Sequence, residues 1–179
     1  LALIPDQPND CHGVYAGSAV ALHEQLLLMY TGNNHTANGN RQSTQLGVLM
    51  TKTGEITKQS QPLLAQPPAG YTPEWRDPQI FQADAQYWCT IGGQRESGIG
   101  AVLLYRSLDA QAWQFVGELE SAAHGDMIEC PNLLPLDGAW VLVDCPQGLP
   151  KTTLPYQNIY PNCEQLFDDV DLPHAKLVG

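Results

Sequence analysis

Long apolar runs are missing from this sequence. No stretch approaches the roughly 18–20 residues a helix needs to cross a bilayer, so a membrane partner is not expected. Charge is sparse and one-sided: 8 Lys and Arg face 19 Asp and Glu among 179 residues, for a net charge of -11. A surface of that sign repels phosphate backbones and argues against nucleic acid as a partner. It does not oppose a neutral sugar. The five cysteines, Cys11, Cys89, Cys130, Cys145 and Cys163, form no CxxC and no Cys/His ligand spacing. Neither a disulfide framework nor a metal site is expected, and no cofactor is required. Free thiols fit a reducing compartment, and the expected location is cytoplasmic. The first residues, Leu1 to Asp6, lack the basic start of a signal peptide. They also lack a methionine, and the expectation is a piece of a longer protein. A long 3.6-residue period is absent as well. The best helical stretch, Ala19–Met29, does not settle its apolar residues on one face.

What is present is turn chemistry and short apolar runs. Gly (16) and Pro (14) are plentiful, which suits many short strands joined by tight turns. Leu26–Tyr30 is ended by Thr31-Gly32, Gln86–Ile91 by Gly92-Gly93, and Ala139–Val143 by Asp144 to Gly148. Each run has the length of a buried strand. Further strands are expected at Gln45–Thr51, Ala101–Arg106 and Gln157–Tyr160. Asn33–Ser43 reads as a surface loop, and Pro67–Gly70 and Ser121–Asp126 as connections. The tail Phe167–Pro173 is acidic and reads as solvated.

The clusters also resemble one another. Each opens on a polar or small segment: Gly17-Ser18-Ala19-Val20, Arg76-Asp77-Pro78-Gln79-Ile80, and Glu129-Cys130-Pro131-Asn132-Leu133. Recurring strand units at this kind of spacing suit propeller blades, with a β-sandwich or solenoid as the alternatives. In a propeller, the first strands line a central channel, which brings Asp77 and Glu129 to one pocket. Pro78 is expected to push Asp77 toward extended backbone. Taken singly, each acid reads as a solvated turn residue.

Taken together, the blocks resemble glycoside hydrolase family 32, the invertases and sucrose-6-phosphate hydrolases. Trp75-Arg76-Asp77-Pro78 is similar to that family's Arg-Asp-Pro block. Glu129-Cys130-Pro131 is similar to its Glu-Cys motif. Gly13 to Val20, Tyr30-Thr31-Gly32, Leu103 to Ser107, Gly117-Glu118-Leu119, Pro146-Gln147-Gly148 and Tyr156 to Tyr160 follow in the family's order. The resemblance implies an all-β fold: three or so consecutive four-stranded blades of a five-bladed propeller, near residues 13–66, 75–120 and 127–166. The first blade, the fifth blade and a C-terminal β-sandwich are not among these residues.

The resemblance also implies roles. Glu129 is the general acid/base and Asp77 the transition-state stabiliser. Arg76, Tyr15 and Ala16 contact substrate, Ala16 standing where the family usually has serine. Ile128 stands where a large residue often precedes the glutamate. The family's nucleophile lies in an Asn-Asp-Pro-type motif that this chain lacks. Pro8-Asn9-Asp10 has the residue types in the wrong order, so no nucleophile is expected in the chain. The implied partners are sucrose, sucrose 6-phosphate or short fructosides. The 179 residues alone are expected to be inactive and to self-associate through exposed blade edges. The alternatives are a non-catalytic carbohydrate-binding or assembly protein, or a related fructosyltransferase or arabinanase-like enzyme. The five histidines, and Trp88, Trp113 and Trp140, are read as structural, and Trp75 stays open because it adjoins Arg76.

Overall fold

Apolar runs without strict alternation call for strands covered on both faces, and the structure, a computed structural model, meets that demand by stacking sheets. It describes residues 3–119, 124–137 and 139–149. Among them there is no helix. Ten antiparallel strands form three sheets. The first sheet holds β1 (Gly13–Leu22), β2 (Gln25–His35), β3 (Arg41–Thr51) and β4 (Ile56–Lys58), in that spatial order. The second holds β5 (Tyr71–Ala83), β6 (Gln86–Arg95), β7 (Gly100–Ser107) and β8 (Gln114–Leu119). The third is a hairpin of β9 (Met127–Leu136) and β10 (Ala139–Gln147).

The second sheet lies between the other two. Alternate residues of its central strands enter opposite cores. Cys89, Ile91, Leu103 and Tyr105 meet Leu27 and Met29 of β2. Trp88, Val102 and Leu104 meet Ile128, Leu133, Trp140 and Leu142 of the hairpin. Burying an aliphatic side chain of this size is worth about 1.5–3 kcal/mol, so these two layers fix the order of the sheets. A third small core, Tyr30, Leu46 and Val48, covers the outer face of the first sheet beneath Leu3, Val14, Leu28 and Ile56. The sheets approach closely at Gly92, where an added Cβ would stand 2.1 Å from the Ile128 carbonyl oxygen. No side chain fits there.

Several expected boundaries move. The helical candidate Ala19–Met29 is the β1–β2 hairpin, turning near His23 at φ +53°. The Asn33–Ser43 loop shrinks, because β2 runs on to His35 and β3 starts at Arg41. Asn33 and Ser43 are buried strand residues. Thr31-Gly32 and Gly92-Gly93 do not end their strands, and β10 passes through Asp144 to Gln147. Cross-strand pairing continues the ladder through these small and polar residues. All four tryptophans lie in or against the cores, Trp75 with no exposure at all. The expected strand at 157–160, the acidic tail and part of the 121–126 connection lie outside the described residues.

Candidate functional site

The first strand of each sheet carries the same irregularity. On β1, three steps from Val14 to Gly17 oppose two from Gly32 to Tyr30. On β5, three from Arg76 to Gln79 oppose two from Gly92 to Thr90. On β9, three from Glu129 to Asn132 oppose two from Cys145 to Val143. Each is a one-residue bulge, a device that re-aims side chains at a sheet edge. The bulges hold Tyr15-Ala16, Asp77-Pro78 and Cys130-Pro131. Pro78 and Pro131 have no N–H, so a bulge is where they can sit without losing a ladder bond.

Asp77 is not extended, contrary to the expectation drawn from Pro78. Its φ is +64°, and that of Cys130 is +48°. Non-glycine residues in this region store on the order of 1–3 kcal/mol each. Tertiary hydrogen bonds hold the strain in place. The Asp77 N–H donates to Thr31 Oγ1 at 2.9 Å, Thr31 donates to Gln45 Oε1 at 2.7 Å, and Gln45 Nε2 donates to the Trp75 carbonyl at 3.1 Å. Thr31 and Gln45 are fully buried. The first sheet thus clamps the β5 bulge from behind.

The first strands are also stitched to one another. The Ile80 N–H donates to Ser18 Oγ at 2.7 Å, and the Leu133 N–H donates to Gln79 Oε1 at 3.0 Å. These bonds bring the three bulges to one cavity of about 500 Å³, lined by Tyr15, Ala16, Arg41, Arg76, Asp77, Glu129 and Cys130. Each of the five residues singled out from the sequence, Tyr15, Ala16, Arg76, Asp77 and Glu129, lines it.

Arg76 is its organising cation. Nε and Nη2 donate to Glu129 Oε1 at 3.0 and 2.9 Å, and Nη1 donates to Glu74. Burial alone would make Arg76 easier to deprotonate, but the two carboxylates outweigh it and raise its pKa. Glu129 keeps Oε2 free of hydrogen bonds among the described residues. Asp77 Oδ2 accepts from the Cys130 N–H at 3.1 Å, with the Cys130 thiol at 3.6 Å. Burial pushes the Asp77 carboxyl above the usual range, against the opposing pull of the Cys130 N–H and of Arg76. Burial, and then the Asp77 charge, push the Cys130 thiol up to about 11. A thiol so protonated is a poor nucleophile near neutral pH.

Two residues of the site were not identified from the sequence, Glu74 and Arg41. Glu74 was within reach, because it stands two residues from Arg76 and a strand's period of two puts both on one face. Arg41 gave no local signal. It meets Glu74 through Nε at 3.2 Å and lies over the Tyr15 ring at 5.8 Å only because β3 pairs with β2 and β1 with β2. Asp10 stands apart from the cavity lining. It is fully buried and accepts from Tyr30 Oη at 2.7 Å, Lys58 Nζ at 2.6 Å and the Gln7 N–H at 2.8 Å. Those bonds give it a structural place.

Comparison with known proteins adds the following. The family model for the glycosyl hydrolases family 32 N-terminal domain matches residues 1–174. A sucrose-6-phosphate hydrolase of Pediococcus pentosaceus is 48% identical over 178 residues, covering 98% of this chain and 36% of that protein. One from Lactococcus lactis subsp. lactis is 40% identical over 173 residues, covering 94% and 37%. Among solved structures, the sucrose-6-phosphate hydrolase from Lactobacillus gasseri superposes with a TM-score of 0.81 at 39% identity, over 90% of this chain and 33% of that one. A Bombyx mori GH32 beta-fructofuranosidase superposes with a TM-score of 0.71 at 28% identity, over 82% and 32%. A mutant of that enzyme has been solved in complex with sucrose. The chain spans about a third of the length of these relatives.

Proposed function

The chain belongs to glycosyl hydrolases family 32, and from that premise we propose that it supplies two of the three catalytic carboxylates of an enzyme cleaving the β-fructofuranosidic bond of sucrose or sucrose 6-phosphate. Glu129 is the general acid/base. It protonates the leaving glycosidic oxygen and then activates water in the second step of a retaining mechanism. Asp77 stabilises the positive charge that develops on the fructosyl ring by holding its hydroxyls. Arg76 orients Glu129, and Tyr15 and Ala16 wall the sugar. The observation that carries this reading is the joining of the two acids. Arg76 grips Glu129, and the very next residue, Cys130, donates its N–H to Asp77.

The same proposal extends to the architecture. The sheets are consecutive blades of a five-bladed propeller, near 13–66, 75–120 and 127–166, with first strands facing the channel. The matching bulges on β1, β5 and β9 support it. The nucleophile is not among these 179 residues, since Asp10 is held by Tyr30 and Lys58. The chain alone is therefore inactive. It self-associates through uncovered sheet edges, near exposed residues such as Phe115 and Val116 on β8 and Leu134 and Leu136 on β9. Among the described residues no helix is long and apolar enough to cross a membrane. A cytoplasmic location is part of the proposal.

The test has two arms. The 179-residue chain is assayed on sucrose and sucrose 6-phosphate, with its oligomeric state read by light scattering. No turnover and a concentration-dependent mass are expected, and clear turnover by this chain alone overturns the proposal. The full protein carrying these residues is then assayed on both sugars. Sugar binding without cleavage there favours a non-catalytic carbohydrate-binding protein instead.

A further inference from the structure

The cavity holds two arginines in different circumstances. Arg76 is buried, and all three of its guanidinium nitrogens engage carboxylates. Arg41 is more exposed, at 28% of its side chain, and engages one carboxylate, Glu74, through Nε. Its Nη1 and Nη2 make no hydrogen bond among the described residues. It is nevertheless held in place, by Glu74 at one edge and by the face of the Tyr15 ring, whose centroid lies 5.8 Å from its Cζ. A guanidinium fixed in this way presents two terminal NH₂ groups at little further loss of freedom. That planar fork matches the oxygens of a phosphoryl group, which it can hold through two parallel charge-assisted bonds.

We propose that Arg41 is the anion-recognising residue of this cavity, the one that holds the phosphoryl group when the sugar carries one on its leaving half. The inference rests on the fructoside-cleaving reading above. In that reading Glu129 protonates the oxygen joining the fructosyl ring to the leaving sugar, so the leaving sugar lies beyond Glu129. Ion pairs run from Glu129 through Arg76 and Glu74 to Arg41. The acid and the anion site thus belong to one connected wall. The two arginines and two glutamates of that chain balance to zero charge, so a phosphoryl group at its Arg41 end meets no unanswered carboxylate of the chain. The protein as a whole opposes anions, with 19 acids against 8 Lys and Arg. A phosphorylated sugar therefore needs a dedicated cation, and Arg41 is the cavity arginine with donors to offer.

The deciding quantity is selectivity. In the full protein carrying these residues, kcat/KM is measured for sucrose and for sucrose 6-phosphate, whose phosphate is on the glucosyl half. Arg41→Gln is expected to lower the ratio in favour of the phosphorylated sugar at least ~20-fold, and Arg41→Lys to lower it less, because a lysine keeps the charge and loses the fork. Equal losses on both sugars overturn the proposal, since Arg41 then acts only by holding Glu74 and Arg76. An unchanged ratio overturns it too. A binding arm separates this inference from the reading beneath it. If the protein cleaves neither sugar, the fructoside reading fails, and the anion site is judged by calorimetric titration with glucose 6-phosphate, glucose and inorganic phosphate. A preference of at least ~10-fold for glucose 6-phosphate over glucose, abolished in Arg41→Gln, supports the site. No such preference, or inorganic phosphate binding as tightly as the sugar phosphate, overturns it.

Discussion

Two buried aspartates of this protein are answered differently by their surroundings. Asp10 has no exposed surface and Asp77 almost none. Burial pushes both carboxyls up. At Asp10 the hydrogen bonds from Lys58, Tyr30 and the Gln7 N–H outweigh burial and hold the group below the usual carboxylate range. At Asp77 the Cys130 N–H and Arg76 do not, and the group stays above it. Arg76 cannot do more because its own nitrogens are occupied by Glu129 and Glu74. Asp10 sits within a complete set of partners. Asp77 sits at φ +64° on a bulge, with Oδ1 free of hydrogen bonds among the described residues. Burial is thus common to the two acids. The completeness of their partners is what differs.

The contrast can be broken by exchanging charge for shape at each position. The largest effect is expected on chemistry. In the full protein, Asp77→Asn should lower kcat by ~10³-fold, because electrostatic stabilisation of the transition state is lost. Steady-state kinetics on sucrose reads this. Asp10→Ala should instead act on folding. It leaves the mostly buried Lys58 ammonium without its innermost partner, and breaking a buried pair costs about 3–5 kcal/mol. Urea unfolding measures it. Asp77→Asn should leave folding unharmed or raise stability by up to ~1 kcal/mol, since asparagine tolerates positive φ and removes a buried charge. A large destabilisation there would place Asp77 with Asp10 as a structural acid.

The smallest expected effect is on pH dependence, and the two aspartates differ in sign. The folded pKa of Asp10 is lowered from 3.8, so its contribution is present above that value and is lost as pH falls through the folded pKa. The folded pKa of Asp77 is raised from 3.8. Its contribution is fully present below 3.8 and is lost as pH rises through the folded pKa. Urea unfolding across the acid range should therefore lose stability less steeply on acidification in Asp10→Asn. In Asp77→Asn it should lose the opposing slope.

The residues themselves made much of this legible. Leu26–Tyr30, Gln86–Ile91 and Ala139–Val143 declared their strands by apolar content bounded by small residues, and the ordered blocks around Asp77 and Glu129, not either acid's setting alone, marked them as neighbours, which both are in lining one cavity. The strand ends were missed because Thr31, Gly32, Gly92 and Gly93 look like turn residues, yet each occupies a ladder or a close sheet contact. The left-handed backbone of Asp77 was missed because it depends on Thr31 and Gln45, 46 and 32 residues away along the chain. Arg41 was missed for the same reason, since its partners Glu74 and Tyr15 belong to other strands. The burial of Asp10 gave no local signal, because its partners Lys58 and Tyr30 lie 48 and 20 residues away along the chain.

The proposed division of labour between Glu129 and Asp77 is tested most directly by leaving-group dependence. In the full protein carrying these residues, kcat/KM of Glu129→Gln is measured on sucrose and on a fructoside with an activated phenolate leaving group that needs no protonation. A loss of ~10²–10⁴-fold on sucrose, with most of the activity kept on the activated fructoside, is the expected result. The same comparison in Asp77→Asn should show similar losses on both. Equal losses on the two substrates in Glu129→Gln, or no loss on sucrose, would contradict the assignment of Glu129 as the acid of this site.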